Sequence, residues 1–492
     1  MQITPSSSSR LILAFTFITI ALAVIVNWYL DFDGIIFNGD SFVYFQNAKD
    51  FKYGLAHLTY PNIEHWPYGY PALLSLLLLV GETFRTVQWI NFIAGGCLIA
   101  LTGYMILFLS DLKSIDQKKT ILLLSGSMLL LAGRGTLLKY QLLIMSDLTG
   151  AFFATASMFL TWKWKISKTN AALAMAAVLL GLAMTTRYVY VLMLVPICVI
   201  LFQEYLSAKK PTFLIVFFSV FLISIIPQLF LILREQPFQQ DYSLMNNWSL
   251  NNFFALQFES ADGHQATTIP NVLYYGAVPF RIEDLSLIGS ILVLLGLHFA
   301  VRELPRWSWL SLVLWYLSFY ILLCGMPIQN PRIAFSLYQP LTLLASFGIL
   351  RCLNYFRAKQ MIIPLLLLFI LSVIFSLKHI QKMIIEKNEL KRTAEQTAHI
   401  SGNNSRIIST SLYAVYLAYP MKVEPVSIYT TSVDQVKRML SDGKRTFLAI
   451  DEERFIPQWG NYPAGKTYWW IRDHCRCIPV LKTGGFTIYE VK

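Results

Sequence analysis

The segment Asn38-Gly39-Asp40-Ser41-Phe42-Val43-Tyr44-Phe45-Gln46-Asn47-Ala48-Lys49-Asp50-Phe51-Lys52-Tyr53-Gly54 sets a carboxylate, Asp40, directly before a run with helical spacing. An Asp at a helix start can serve as an N-cap that accepts a backbone N–H, or as a general base toward a bound hydroxyl. Phe42, Phe45, Ala48 and Phe51 fall near one face of that helix, against polar Gln46, Lys49, Asp50 and Lys52. A helix of this kind lies along a membrane surface and holds Asp40 and Tyr44 at the interface, where lipid headgroups sit.

Further polar residues interrupt apolar sequence. Glu64-His65-Trp66-Pro67-Tyr68-Gly69-Tyr70-Pro71 is a turn dense in Pro, Gly and aromatics. Its Trp and Tyr suit an aromatic belt, while Glu64 and His65 offer a second carboxylate or a proton-accepting imidazole. Neither has a metal-ligand partner at fixed spacing, so a divalent metal stays open without a motif behind it. Arg134 and Lys139 precede Leu143-Ile144-Met145-Ser146-Asp147-Leu148, where an acid at a helix start either stabilises the helix dipole or faces substrate. Thr185-Thr186-Arg187-Tyr188 breaks a long apolar stretch, and Pro331-Arg332 follows the short loop from Gly325 to Asn330. Arginine at membrane depth is costly unless it meets an anion or water, or snorkels to the interface. Two arginines converging on one face could bind a phosphate, whose oxygens the guanidinium matches bidentately.

The elements that must position these residues follow from composition. Of 492 residues 55% are hydrophobic and 14% charged, too little charge to cover a soluble protein of this size. Apolar runs such as Leu11 to Leu30, Val87 to Leu109 and Phe213 to Leu233 reach the roughly 20 residues a helix needs to cross a bilayer. The net charge of +12 is spread over short loops and forms no basic stripe interleaved with aromatics, which argues against nucleic acid. Lys113 to Lys119, Lys163 to Lys168, Lys209-Lys210, Arg302 to Arg306 and Arg351 to Lys359 mark cytoplasmic loops by the positive-inside rule. Residues 31–69 hold five acids against two bases and 234–283, with its continuation to Asp284, six against two, so both long loops belong outside.

Spans are expected near 10–30, 86–110, 120–138, 146–163, 170–187, 188–203, 211–233, 284–301, 308–325, 332–351 and 361–378, about eleven in all. The apolar piece at 70–84 is too short to cross and is expected to insert halfway or lie at the interface. From about residue 380 the pattern turns polar and alternating. Ser405 to Thr410, Thr446 to Ile450 and Gly485 to Tyr489 are expected as strands and Val433 to Leu440 as a helix. The fold class is therefore a mainly α, polytopic membrane protein with an amphipathic first external loop, its membrane region over 1–380. A small extracytoplasmic α/β domain over 381–492 follows. There, Cys475 and Cys477 could oxidise.

An Asp opening the first external loop resembles the polytopic glycosyltransferases of the GT-C fold, taken together with Tyr four residues on, Ala48 and Gly54 within an amphipathic helix, and a His/Pro-rich turn opening a short apolar helix. The chain is most similar to the branch that includes protein O-mannosyltransferases and the lipid A aminoarabinose transferase. It departs from many relatives in having Asp40-Ser41 where they have Asp-Glu, and Trp66-Pro67-Tyr68 where they have Pro-Pro. The resemblance implies a polyprenyl-phosphate-linked sugar as donor and a first-loop aspartate, here Asp40, as general base. The acceptor would be a lipid, glycan or protein. Tyr44, His65 and Tyr68 would shape the sugar pocket, Glu64, Asp147 and Tyr188 would serve substrate binding, and Arg187 and Arg332 with Lys139 would stabilise the charge on the departing phosphate. No redox or nucleotide cofactor is expected, since no Walker loop or Gly-rich dinucleotide fingerprint is present. Two other classes remain open: a transporter or lipid flippase, and an oligosaccharide ligase.

Overall fold

The structure is a computed structural model and describes residues 5–29, 39–57, 67–112, 117–132, 134–234, 247–260, 263–281, 286–355, 358–410, 412 and 423–492. The chain divides into two compact units. The first comprises 1–31, 44–254 and 269–380, the second 32–43, 255–268 and 381–492.

The first unit is helical, and its helices in chain order are α1 (Pro5–Tyr29), α2 (Gly39–His57, from Tyr44 onward), α3 (Gly69–Leu77), α4 (Phe84–Leu112), α5 (Gln117–Ala132), α6 (Gly135–Leu142), α7 (Ser146–Ser167), α8 (Asn170–Thr186), α9 (Leu194–Ala208), α10 (Thr212–Arg234), α11 (Asn271–Ala277), α12 (Ser286–Glu303), α13 (Arg306–Gly325), α14 (Phe335–Tyr355) and the start of α15 (Ala358–Ser401). Among the described residues, five helical segments are long and apolar enough to cross a membrane, namely Ser8–Tyr29, Phe84–Ser110, Tyr188–Ala208, Thr212–Phe230 and Arg306–Gly325, with a sixth if α5 and α6 count together. Their outward faces carry exposed Phe17, Ile18, Ile215, Ile223 and Phe230, which only a lipid solvent makes favourable. This is an integral membrane protein.

Several helices differ from their expected bounds, each for a local reason. The span expected at 120–138 is described as two helices, α5 to Ala132 and α6 from Gly135, bent by 57° relative to each other, with Arg134 in extended conformation as the N-cap of α6. The stretch from Tyr188 begins as a 3-10 turn, and α-helix resumes only at Leu194. The short apolar piece is the nine-residue α3. On α2 the buried positions are Tyr44, Phe45 and Ala48, which pack with Tyr70, Leu74 and Leu78 of the α3 segment and Val87 of α4, while Phe42 and Phe51 are only half-buried. The buried face is thus rotated from the phenylalanine row towards Tyr44.

The helix expected to end near residue 378 does not stop there, and the first strand of this region follows only at Ser405, because α15 continues through the polar sequence to Ser401. No Gly or Pro interrupts it after Pro364, and Lys382 and Glu386 pair at i, i+4. Gly402 ends it with φ +72°, the left-handed stop that glycine adopts without a Cβ penalty.

The second unit is a small α/β body. Its five-stranded sheet, in order β4-β3-β5-β7-β6, is built from β3 (Ser405–Ser409), β4 (Val423–Ser427), β5 (Arg445–Ile450), β6 (Cys477–Thr483) and β7 (Phe486–Val491). β4, β3 and β5 run parallel, while β7 and β6 are antiparallel. One face packs Leu390, Ala394 and Ala398 of α15 on Ile407, Phe447 and Ile488. The other packs helices Val433–Ser441, Glu452–Trp459 and Pro463–His474 on Ile408, Leu448 and Ile450. A hairpin of the second long loop, β1 (Gln257–Ser260) and β2 (Gly263–Ala266), belongs to this unit, with the Tyr462 hydroxyl donating to Glu259. Cys475 and Cys477 are free thiols.

Candidate functional site

Asp147 stands in the first turn of α7 and is buried, its side chain 3% exposed. A carboxylate this buried needs paired charge. Arg187 supplies it through Nη1 at 2.9 Å from Oδ1, and Arg332 through Nε at 2.9 Å from Oδ2. Two guanidinium groups around one carboxylate leave the trio with a net positive charge, and both arginine side chains keep partial exposure, at 18% and 16%.

Each member is aimed by its own piece of backbone. The turn between α6 and α7 leaves carbonyls that no helix satisfies, and two polar residues of α4 take them up. Gln88 Nε2 donates to the Leu142 carbonyl at 2.9 Å, and Asn91 Nδ2 donates to those of Leu143 and Met145 at 2.5 and 3.0 Å. Thr149 then donates to Asn91 Oδ1 at 3.0 Å, fixing the amide's orientation. Arg187 is the C-cap of α8, in extended conformation at φ −157°, and its side chain leaves the helix end towards α7. The following 3-10 turn can approach α7 because residue 150 is glycine, where a Cβ would lie 2.6 Å from the Tyr190 ring. Tyr190 donates its hydroxyl to the Asp147 carbonyl at 3.2 Å.

Arg332 sits in the turn before α14. That loop is held by α11: Asn271 Nδ2 donates to the carbonyls of Cys324 and Met326 at 3.2 and 2.7 Å, and the Tyr275 hydroxyl to that of Ile328 at 2.9 Å. Asn330 Oδ1 accepts the Arg332 N–H at 2.9 Å.

Tyr44 joins the group from α2. It is 1% exposed, shares a 2.7 Å hydrogen bond with the Ser146 hydroxyl and meets the Tyr70 ring edge-on at 4.9 Å. Burial raises its phenol pKa, with Arg332 and Arg187 acting in the opposite direction. Tyr68 and Tyr188 form a neighbouring pair through Gln228 of α10, whose Oε1 accepts the Tyr68 N–H at 3.0 Å and whose Nε2 donates to the Tyr188 hydroxyl at 2.7 Å.

Of the residues singled out in the sequence, Tyr44, Asp147, Arg187 and Arg332 come together, and Tyr68 meets Tyr188 through Gln228. Lys139 is half-buried on α6, one element before Asp147. Asp40 lies in the second unit, half-buried, and within the first turn of α2 rather than ahead of it as a cap. Glu64 and His65 lie outside the described residues. Among the described residues no three His, Cys, Asp or Glu side chains converge as metal ligands.

No protein-family model matches the sequence, and no curated protein matches it. Solved structures do match. ArnT, the lipid A aminoarabinose transferase, from Cupriavidus metallidurans in the apo state superposes with a TM-score of 0.61 at 12% identity over 97% of each chain. The same protein bound to undecaprenyl phosphate gives 0.61 at 11% identity, over 97% of this chain and 98% of that one. An oligosaccharyltransferase from Archaeoglobus fulgidus, in complex with Zn and sulfate, gives 0.50 at 11% identity, over 92% and 71%. The chain has the GT-C fold. At these identities the likeness is one of architecture, and it extends over nearly the whole ArnT chain. Within the GT-C fold of this protein, two arrangements among the described residues of the first unit set two cations on one carboxylate, Lys165–Glu204–Lys168 and Arg187–Asp147–Arg332, and the carboxylate of the second is the more buried.

Proposed function

We propose that the protein is a membrane glycosyltransferase that moves a sugar from a polyprenyl-phosphate-linked donor to a hydroxyl-bearing lipid, glycan or protein acceptor on the extracytoplasmic face. The observation that carries this reading is the Arg187–Asp147–Arg332 clamp, two guanidinium groups oriented by one buried carboxylate. The clamp occurs in a fold shared with a protein solved with undecaprenyl phosphate bound.

The acceptor oxygen attacks the anomeric carbon with inversion, and the bond from that carbon to the donor's phosphate oxygen breaks. Asp40 takes the acceptor proton as general base. The departing polyprenyl phosphate gains negative charge as the bond opens, and preoriented cations aimed at such charge stabilise a transition state without reorganising. Arg187 and Arg332 fill that role, with Lys139 adding charge nearby. Asp147 acts as a positioning residue: both its oxygens are engaged by the arginines, so it holds the clamp rather than touching substrate. Tyr44, Tyr68 and Tyr188 border the sugar site, and Glu64 and His65 serve substrate binding.

Membranes containing the protein, supplied with a labelled panel of polyprenyl-phosphate sugars, test the reading. Acceptor-dependent release of polyprenyl phosphate supports it. Movement of intact lipid-linked sugar across the bilayer without release would support a flippase instead.

A further inference from the structure

Tyr190, which bonds the Asp147 carbonyl, also lines a small cavity with Leu98, Arg134, Thr155, Trp315, Gln339 and their neighbours, and its volume, about 10 Å³ for the centre of a water molecule, is that of a single water. Three side-chain atoms of its lining are buried and have no hydrogen-bond partner among the described residues: Thr155 Oγ1, Trp315 Nε1 and Gln339 Oε1. All three residues are at most 4% exposed. An orphaned buried donor or acceptor is costly, and native proteins rarely keep several beside one another.

The chemistry of the three atoms selects the occupant. The indole N–H can only donate, so it needs an acceptor. The Gln339 carboxamide oxygen can only accept, so it needs a donor; its nitrogen is already committed to Thr102 Oγ1 at 2.6 Å. The Thr155 hydroxyl serves either way. An anion could answer Trp315 but not Gln339, and a cation the reverse. We propose that this cavity is a binding site for one ordered water molecule, which accepts from Trp315, donates to Gln339 and bonds Thr155. Three partners is the usual number for a buried water.

The site joins three helices. Thr155 belongs to α7, which carries Asp147 at its start; Gln339 belongs to α14, which follows Arg332; Trp315 belongs to α13. The water therefore ties α7, whose first turn carries Asp147, to α14, whose preceding turn carries Arg332.

The test combines an experimental structure of the full-length protein, at a resolution that shows ordered waters, with thermal unfolding of two variants. Density within hydrogen-bonding reach of all three atoms is expected; density absent, or the three side chains turned to protein partners, overturns the proposal. Thr155→Val removes one partner of the water, so its Tm should fall, while Thr155→Ser, which keeps the hydroxyl, should retain most of the wild-type Tm. An unbridged buried hydroxyl predicts the opposite sign, since replacing it with methyl relieves an unmet polar group, and a Tm unchanged or raised in Thr155→Val sinks the water. With Trp315→Phe added, the two losses should sum to more than the double variant shows, whereas strict additivity contradicts a shared water.

Discussion

Arg332 reaches back 185 residues along the chain to donate through Nε to Oδ2 of Asp147 at 2.9 Å. This bond fixes the turn before α14 to the first turn of α7, and Arg187 completes the arrangement on the other carboxylate oxygen. Under the proposed function, the three side chains that hold these elements together are also the ones set against the donor.

Asp147→Asn keeps the shape of the side chain but leaves two guanidinium groups facing each other in a partly buried place. Removing one partner of a buried ion pair typically costs about 3–5 kcal/mol, and the partial exposure of both arginines puts the expected loss at about 2–4 kcal/mol. Thermal unfolding in detergent reads it, and an unchanged Tm would refute the pairing.

Arg187→Lys retains the charge and loses the planar fork, which pairs with Asp147 and which the proposed function also sets against the donor phosphate. Donor affinity should fall about tenfold or more, a loss of about 1.4 kcal/mol. The dissociation constant of a polyprenyl-phosphate sugar, measured on purified protein, is the readout. An unaltered constant would remove Arg187 from donor recognition.

Asn91→Leu should act on the site without touching it. The carbonyls of Leu143 and Met145 lose their donor, and leaving a buried backbone acceptor unmet costs about 1–3 kcal/mol. A lower Tm accompanied by weaker donor binding is expected, while Asn91→Ser should lie between the two.

How much of this the sequence discloses depends on the range of each interaction. Membrane embedding follows from the apolar runs alone, and the strands at Ser405–Ser409, Arg445–Ile450 and Phe486–Val491 follow from local alternation and turn residues. Asp147, Arg187 and Arg332 are each visible as charges at the ends of apolar segments. Their convergence on one another is not, because it is set by packing between α7, α8 and the turn before α14. Gln88 and Asn91 carry a readable signal: two amides one turn apart in a largely apolar span, which membrane depth makes costly unless they serve a partner. Tyr190 and Gln228 carry none, since their value depends wholly on their neighbours. On α2 the expected face residues Phe45 and Ala48 are buried, but Phe42 and Phe51 are only half-buried, and Tyr44 takes the place that α3 and Ser146 enclose.

The second unit should be acid-sensitive at one point. Arg406 of β3 is 4% exposed on its side chain and bonds Glu424 of β4 at 2.9 Å and Asp442 at 2.6 Å, and these hydrogen bonds hold both carboxyls below the usual carboxylate range. Because the folded-state values lie below the unfolded ones, the contribution is fully present above about pH 4, the unfolded carboxylate range, and is lost as pH falls through the depressed folded values. Protection of the β3 and β4 amides, taken relative to the intrinsic exchange rate at each pH, should fall below that range between neutral pH and about pH 3. In Glu424→Gln the step should shrink, and equal acid sensitivity in variant and wild type would exclude this cluster as its source.

The central claim is tested most directly by single-turnover transfer from a polyprenyl-phosphate sugar in wild-type protein and in Asp40→Asn. With Asp40 as general base, the variant should fold and bind donor as wild type does, while the transfer rate drops by about 10²–10⁴-fold. Transfer at the wild-type rate in Asp40→Asn would contradict the account.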